Sequence, residues 1–208
     1  MPDRQIAVEN IIDSLQSGNN NPATLAAMYL NVLKPLLKRG CAGNLKAHRY
    51  LSLYFRENRY ALKHIRLLQK QVKKNSVPMD YREAVITNLL SSLKHIAIHF
   101  RKMEKALFPA LIAKGLEEPT RFMSIRQTGI TSLIDEAMEM AGCCSFPRTL
   151  WYVGRIVSAV KIMVCIEKNI FFPLVKAVFL EADFIRAAEV EKAIGAAWVS
   201  RPDASVSG

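Results

Sequence analysis

The stretch "HFRKMEKALFPAL", residues 99–111, returns in altered form as "MVCIEKNIFFPLV", residues 163–175. Each places a charged residue, an aromatic and a proline inside an apolar run, and only the first keeps a histidine. Upstream of each proline the apolar residues recur every three or four positions: Leu93, Ile96, Phe100, Met103 and Leu107 in one, Val153, Ile156, Val160 and Met163 in the other, where Glu167 takes the next place before Ile170. That spacing is the signature of a helix with one buried face, and no convincing strand alternation competes with it. The fold class is therefore all-α.

The same period extends to both sides. Helices are expected over about 45–74, 79–113, 120–141 and 147–179, separated by the breakers "NSVPMD" and "KGLEEP" and by Gly142. Four long helices with short connections predict an antiparallel up-and-down four-helix bundle over residues 43–200, with a short last helix at about 181–197. Two weaker amphipathic pieces, about 5–16 and 22–38, make residues 1–42 a helical extension. The polar end, 201–208, reads as a disordered tail.

Half of the 208 residues are hydrophobic, enough for a substantial core. Cys41, Cys143, Cys144 and Cys165 have neither zinc-site nor disulfide-framework spacing, and Cys165 is expected to be a buried structural thiol. The N-terminus lacks the apolar core of a signal peptide. The apolar region around 150–180 is interrupted by Arg155, Lys161, Glu167 and Lys168, so no membrane span is expected and a cytoplasmic location is. Phosphate loops and nucleophile elbows are absent, and no enzyme activity is expected.

The net charge of +11 sits in one place. Residues 34–75 contain twelve Lys or Arg against a single acid, Glu57, so the rest of the chain, with seventeen of each sign, is neutral. Arg49, Arg56, Arg59, Lys63, Arg66 and Lys70 form a basic surface with two readings: a solvated helix face, or a dock for an acidic protein or a nucleic acid. Tyr50, Tyr54, Phe55 and Tyr60 are interleaved with it and could stack bases, although their spacing is mostly that of the core.

Some polar residues fall on faces that should be buried. Glu167 lies one turn after Met163, Gln127 lies in the stripe of the 120–141 helix, and His99 lies one turn before Met103. A carboxylate buried without a partner is costly, so Glu167 needs a cation, bound water, or a donor such as His99 or Gln127. His48 extends the stripe of the 45–74 helix toward the same end. Inward carboxylates and imidazoles can hold a metal ion in a bundle, or simply satisfy one another.

Several segments, in order, resemble hemerythrin-like (HHE cation-binding) domains, in particular the subset often attached to sensory domains: "FRENRYAL", "HFRKMEKALFPALIAKGLEEPTRFM", "IEKNIFFPL" and "EVEKAIGAAW". The resemblance implies a bundle enclosing two non-haem irons held by histidines and carboxylates. It also implies that this chain has lost most of that ligand set. His99 and Glu167 match family ligands, but Met103 stands where a carboxylate would, with Glu104 one position late. Met163 and Gln127 stand where histidines would. The expected function is a sensory or regulatory binding module without a di-iron centre, its pocket lined by Met103, Met123, Phe55 and Ile130. The alternative is an altered site, a single non-haem iron or a haem held by His99 with Glu167, His48, Gln127, Glu104 or Met163, for oxygen, nitric oxide or redox sensing. A second alternative is a basic nucleic-acid-binding protein. A homodimer is compatible with all three.

Overall fold

The computed structural model describes residues 45–73, 78–143 and 145–198, with side chains in the first helix from Arg49 onward. The expected N-terminal helices and the tail lie outside them. Among the described residues the chain is all-helical, with no strand.

Helix α1, Leu45–Lys73, runs without Gly or Pro, and Leu51, Tyr54, Ala61, Ile65 and Leu68 form its buried stripe. Lys70 and Lys73 in the last turn suit the negative end of the helix dipole. Its last carbonyls find a partner in the next helix: the Arg82 guanidinium donates to the backbone oxygens of Gln71 and Val72, at 3.0 and 3.3 Å. Arg82 belongs to α2, Met79–Leu93, which follows Pro78. Ile86, Leu90 and Leu93 are its buried apolar residues, while Val85 and Leu89 are half-buried.

The long helix expected over 79–113 is divided. A turn at Lys94–His95 separates α2 from α3, Ile96–Lys102. Then come a π-helical segment, Met103–Leu107, and α4, Phe108–Ile112. Pro109 explains the π segment. It has no N–H to give the carbonyl one turn back, and its ring crowds that carbonyl, so the ladder widens. The Phe108 N–H reaches back to the Met103 carbonyl, five residues away.

Gly115, at φ +76, turns the chain, and α5, Glu117–Gly142, begins with two acids at its positive dipole end. Helix α6, Phe146–Ile166, ends in a second π segment, Glu167–Phe171, where the Phe172 N–H bonds the Glu167 carbonyl. Helix α7, Phe172–Val178, follows with Pro173 in its first turn. The shared Phe-Pro of the two quoted stretches thus marks the same backbone irregularity twice. By length and composition alone, the run Phe146–Val178 could cross a membrane, against the sequence expectation; in the fold it packs on α1 and α5 and buries Glu167.

Helix α8, Glu181–Ile194, is anchored at its start. The Asp183 carboxylate accepts from the Leu180 N–H, from Arg186, and from Lys114 in the loop after α4. Helix α1 packs on α2 and α6, and α5 packs on the same two, closing a cycle around one core; α8 covers the first π segment. Phe172 is fully buried, its ring 5.5 Å from Tyr54 and 5.1 Å from Phe55, and Phe108 meets Phe171 at 5.7 Å.

Candidate functional site

Inside this cycle the interior is charged. Helix α1 supplies Glu57 and Asn58, α3 supplies His99 and Lys102, and the second π segment supplies Glu167; all five are buried, with Lys102 and Glu167 at zero exposure. His99 lies between the two carboxylates. Its Nδ1 is 2.8 Å from Glu57 Oε2 and its Nε2 is 3.2 Å from Glu167 Oε2. Lys102 Nζ donates to Glu57 Oε1, which also accepts the Ala197 N–H at 3.2 Å. Asn58 Nδ2 donates to Glu167 Oε2 at 2.6 Å. The Lys102 ammonium also sits over the Tyr54 ring, 5.7 Å from its centroid.

A neutral imidazole has one N–H, so it can donate to only one of two carboxylates; an imidazolium donates to both. The geometry therefore selects charged His99. Burial alone would push His99 down, but Glu167 and then Glu57 outweigh it and raise it to about 9. For Glu57, burial pushes upward and is outweighed by His99 and Lys102, which hold the carboxyl below its ordinary value. Two carboxylates, one imidazolium and one ammonium sum to zero, which is how an interior can hold ions at all.

A second polar group lies beside it. The hydroxyls of Tyr50 and Tyr54 and the carboxyl of Glu191 influence one another's titration, yet form no well-aligned hydrogen bond among themselves. Burial, then the Glu191 charge, raises Tyr50 and, with Tyr50 as well, Tyr54; burial also raises Glu191. The last described residues pack across α1 and α2. After Gly195, at φ +89, Ala197 is fully buried, and the Trp198 indole donates to the Ser92 carbonyl and stacks over Tyr60 and His64.

The expected site residues divide. His99 and Glu167 do meet. Met103, Met123, Met163, Ile130 and Gln127 are buried as expected, but the interior beside them is a salt-bridge network rather than grease alone. Gln127 does not reach a carboxylate in any hydrogen bond; its amide donates to the Met103 sulfur at 3.3 Å. Glu104, one position past the inward face, is half-buried and accepts from Ser124. Phe55 lines an outer groove instead of the interior. The His48 side chain lies outside the description, and so does Cys144. Cys165 is exposed, not buried, because it falls on the face of α6 opposite Met163 and Glu167; its sulfur accepts from Asn169.

Sequence reading missed Glu57, Asn58, Lys102 and Ala197 as members of this site. The signal for two of these was periodic. Glu57 is three residues after Tyr54 and four before Ala61, and Lys102 is three after His99 and four before Ala106.

The donor set does not fit a di-iron centre. An imidazolium has no lone pair for a metal, Glu57 is taken up by Lys102, His99 and Ala197, and a fixed ammonium stands within the cluster. Among the described residues, no group of three or more His, Cys, Asp or Glu is placed to hold a metal ion. Glu167 Oε1 and Gln127 Oε1 remain as buried acceptors without a hydrogen bond. No protein-family model matches the chain, and no curated protein matches it.

Proposed function

We propose that the chain is a hemerythrin-like, antiparallel up-and-down four-helix bundle in which fixed protein cations stand where that resemblance implies two irons. It works as a sensory or regulatory binding module, not as an oxygen carrier or an enzyme. One observation carries this reading: both ring nitrogens of His99 are committed to carboxylates, with Lys102 neutralising the second charge. The cycle of α1, α2, α5 and α6 and the paired Phe-Pro irregularities support the scaffold half of the proposal.

A single iron or a haem on His99 would need the imidazole to lose a proton and one carboxylate partner, and the residue is buried among aromatic rings. Base stacking on the basic helix is disfavoured because Tyr54 is buried, Tyr60 faces Trp198, and Phe55 faces Phe172.

The test is the metal content and optical spectrum of protein purified without oxygen. Far less than one iron per chain is expected, with neither a Soret band nor an oxo-to-iron charge-transfer band. Two irons per chain with such a band would overturn the proposal.

A further inference from the structure

The exposed face of α1 has an order that net charge alone does not convey. Arg49, Arg56, Lys63 and Lys70 recur every seven residues, and Ser52, Arg59, Arg66 and Lys73 form a second row three residues further on, again every seven. All eight are exposed, and no ion pair among the described residues engages any of these cations. The one acid of the helix, Glu57, points inward and is consumed there. From residue 49 to 73 the rows run for about 36 Å at the rise of an α-helix.

Beside the rows runs an apolar groove of about 390 Å³, between α1 and the end of α6, where Phe55, Leu62 and Val164 are flanked by Arg59 and Lys168. Further positive charge stands around it, Lys161 bonding Gln69 of α1 and Lys176 sitting over Phe55. No acid lines it.

We propose that this face docks an acidic amphipathic helix of a partner protein. A seven-residue repeat drifts about 20° per heptad on a straight helix, so a second helix crossing it as in a coiled coil stays in register with both rows. Its glutamates or aspartates meet the cations, and its apolar edge enters the Phe55–Leu62–Val164 groove, the helix-in-groove mode of recognition. A nucleic acid would use the charges but not the groove, and the neighbouring aromatics are already engaged with one another. A lipid surface would call for several large apolar side chains protruding beside the cations, and among the described side chains of α1 only Leu67, at 36 % exposure, does so. The inference rests on the outer face alone, and it stands whether or not the interior binds metal.

Fluorescence anisotropy with the full chain tests it against three labelled probes. The first is a four-heptad helical peptide with glutamates in a seven-residue repeat beside a leucine seam. The second has the same composition with the glutamates permuted around the helix, and the third is a DNA duplex of similar length. The repeat peptide is expected to bind about tenfold tighter than either control at physiological salt. Paired Arg59→Glu and Lys63→Glu substitutions, both on solvent, should weaken it about tenfold or more with far-UV circular dichroism unchanged. Lys105→Glu, exposed on the first π segment, should leave it unchanged. Equal binding of the permuted peptide, tighter binding of the duplex, no binding of any probe, or indifference to the paired substitution would each overturn the proposal.

Discussion

Lys102 is the most informative single perturbation. Its ammonium is fully buried, bonded to Glu57 and placed over Tyr54. Replacing it by methionine keeps nearly the same volume and stem, so little of any loss can be assigned to a cavity. What changes is charge: two buried carboxylates then face one imidazolium, and the interior carries a net −1. Breaking a buried ion pair by removing one partner costs about 3–5 kcal/mol. In a chain of this size, each kcal/mol lowers the melting temperature by about 2–4 °C, so Lys102→Met should melt roughly 6–20 °C lower. The decisive comparison is the double variant with Glu57→Gln. It restores neutrality, leaving His99 paired with Glu167, and should recover to within about 1 kcal/mol of the parent, since removing both ions of a buried pair is often neutral. Urea unfolding of the four proteins at one pH, closed as a double-mutant cycle, gives the coupling directly. A single variant costing less than about 1 kcal/mol would show that the ammonium is not held in the interior network. A double variant as unstable as the sum of the two singles would show that Glu57 and Lys102 do not act on each other.

Two further outcomes follow from the same geometry. His99, ordinarily near 6.5 and raised to about 9, contributes stability that is complete below pH 6.5 and lost as pH rises through 9. Glu57, held below its ordinary 4.5, contributes stability present above 4.5 and lost as pH falls through its lowered value. The network is thus worth most between pH 4.5 and 6.5, and Glu191, raised by burial, begins its own loss above 4.5 and moves the maximum to the acidic end. Melting temperature against pH should therefore decline from pH 6.5 to 9 by an amount corresponding to about 3 kcal/mol, and His99→Gln should flatten that limb; a slope unchanged in the variant would assign it to other groups. Gly195→Ala meets no atom within 4 Å, so its cost is backbone strain at φ +89, about 1–3 kcal/mol. In a Trp151→Phe background it should also red-shift Trp198 emission as the indole lifts from Tyr60 and His64, whereas unshifted emission would mean that the turn does not hold that contact.

Much of the helical layout was legible in the sequence. The 45–74 helix is observed as Leu45–Lys73, and each breaker runs into the start of the next helix, "NSVPMD" into α2 at Met79 and "KGLEEP" into α5 at Glu117, because Pro, Gly and apolar periodicity act locally. The break at Lys94–His95 was not legible. "SSLKHI" contains neither Gly nor Pro; the turn is held by bonds from Lys94 and His95 to the carbonyls of Leu90 and Ser92, and by Leu93 and Ile96 both being drawn into the core. The extra residue in each π turn was equally hidden, although the prolines that demand it were plain. The charged interior was missed for a different reason. A charged residue is by default assigned to solvent, and that default is correct for every Lys or Arg of α1 from Arg49 onward. It fails for Glu57 and Lys102, which lie on the apolar period. A lone acid inside a run of twelve bases is itself a reason to look inward, since a solvated face of that sign would gain from several acids.

The two quoted stretches, aligned on their Phe-Pro pairs, differ in a complementary way. Position by position, His99 corresponds to Met163 and Met103 to Glu167, so each stretch has one polar residue and a methionine at the other place. Met103 and Glu167 open their π segments, and Met163 and His99 sit one turn earlier. Neither helix can satisfy its own remaining polar group, and each group is satisfied by the other helix, His99 Nε2 meeting Glu167 Oε2. That cross-pairing leaves one face of the imidazole open, and a single carboxylate beside an imidazolium would already be neutral. Glu57 therefore enters as an excess charge, and Lys102, one turn from His99, cancels it. The logic is that of a closed electrostatic set: removing any one ion strands another, while removing a matched pair does not. An interior holding only apolar side chains and one His–Glu pair would have no use for an ammonium at zero exposure. Here the ammonium completes the charge balance from the protein's own side chains, and the set ties α1, whose outer face carries the basic rows, to α3 and through His99 to the second π segment.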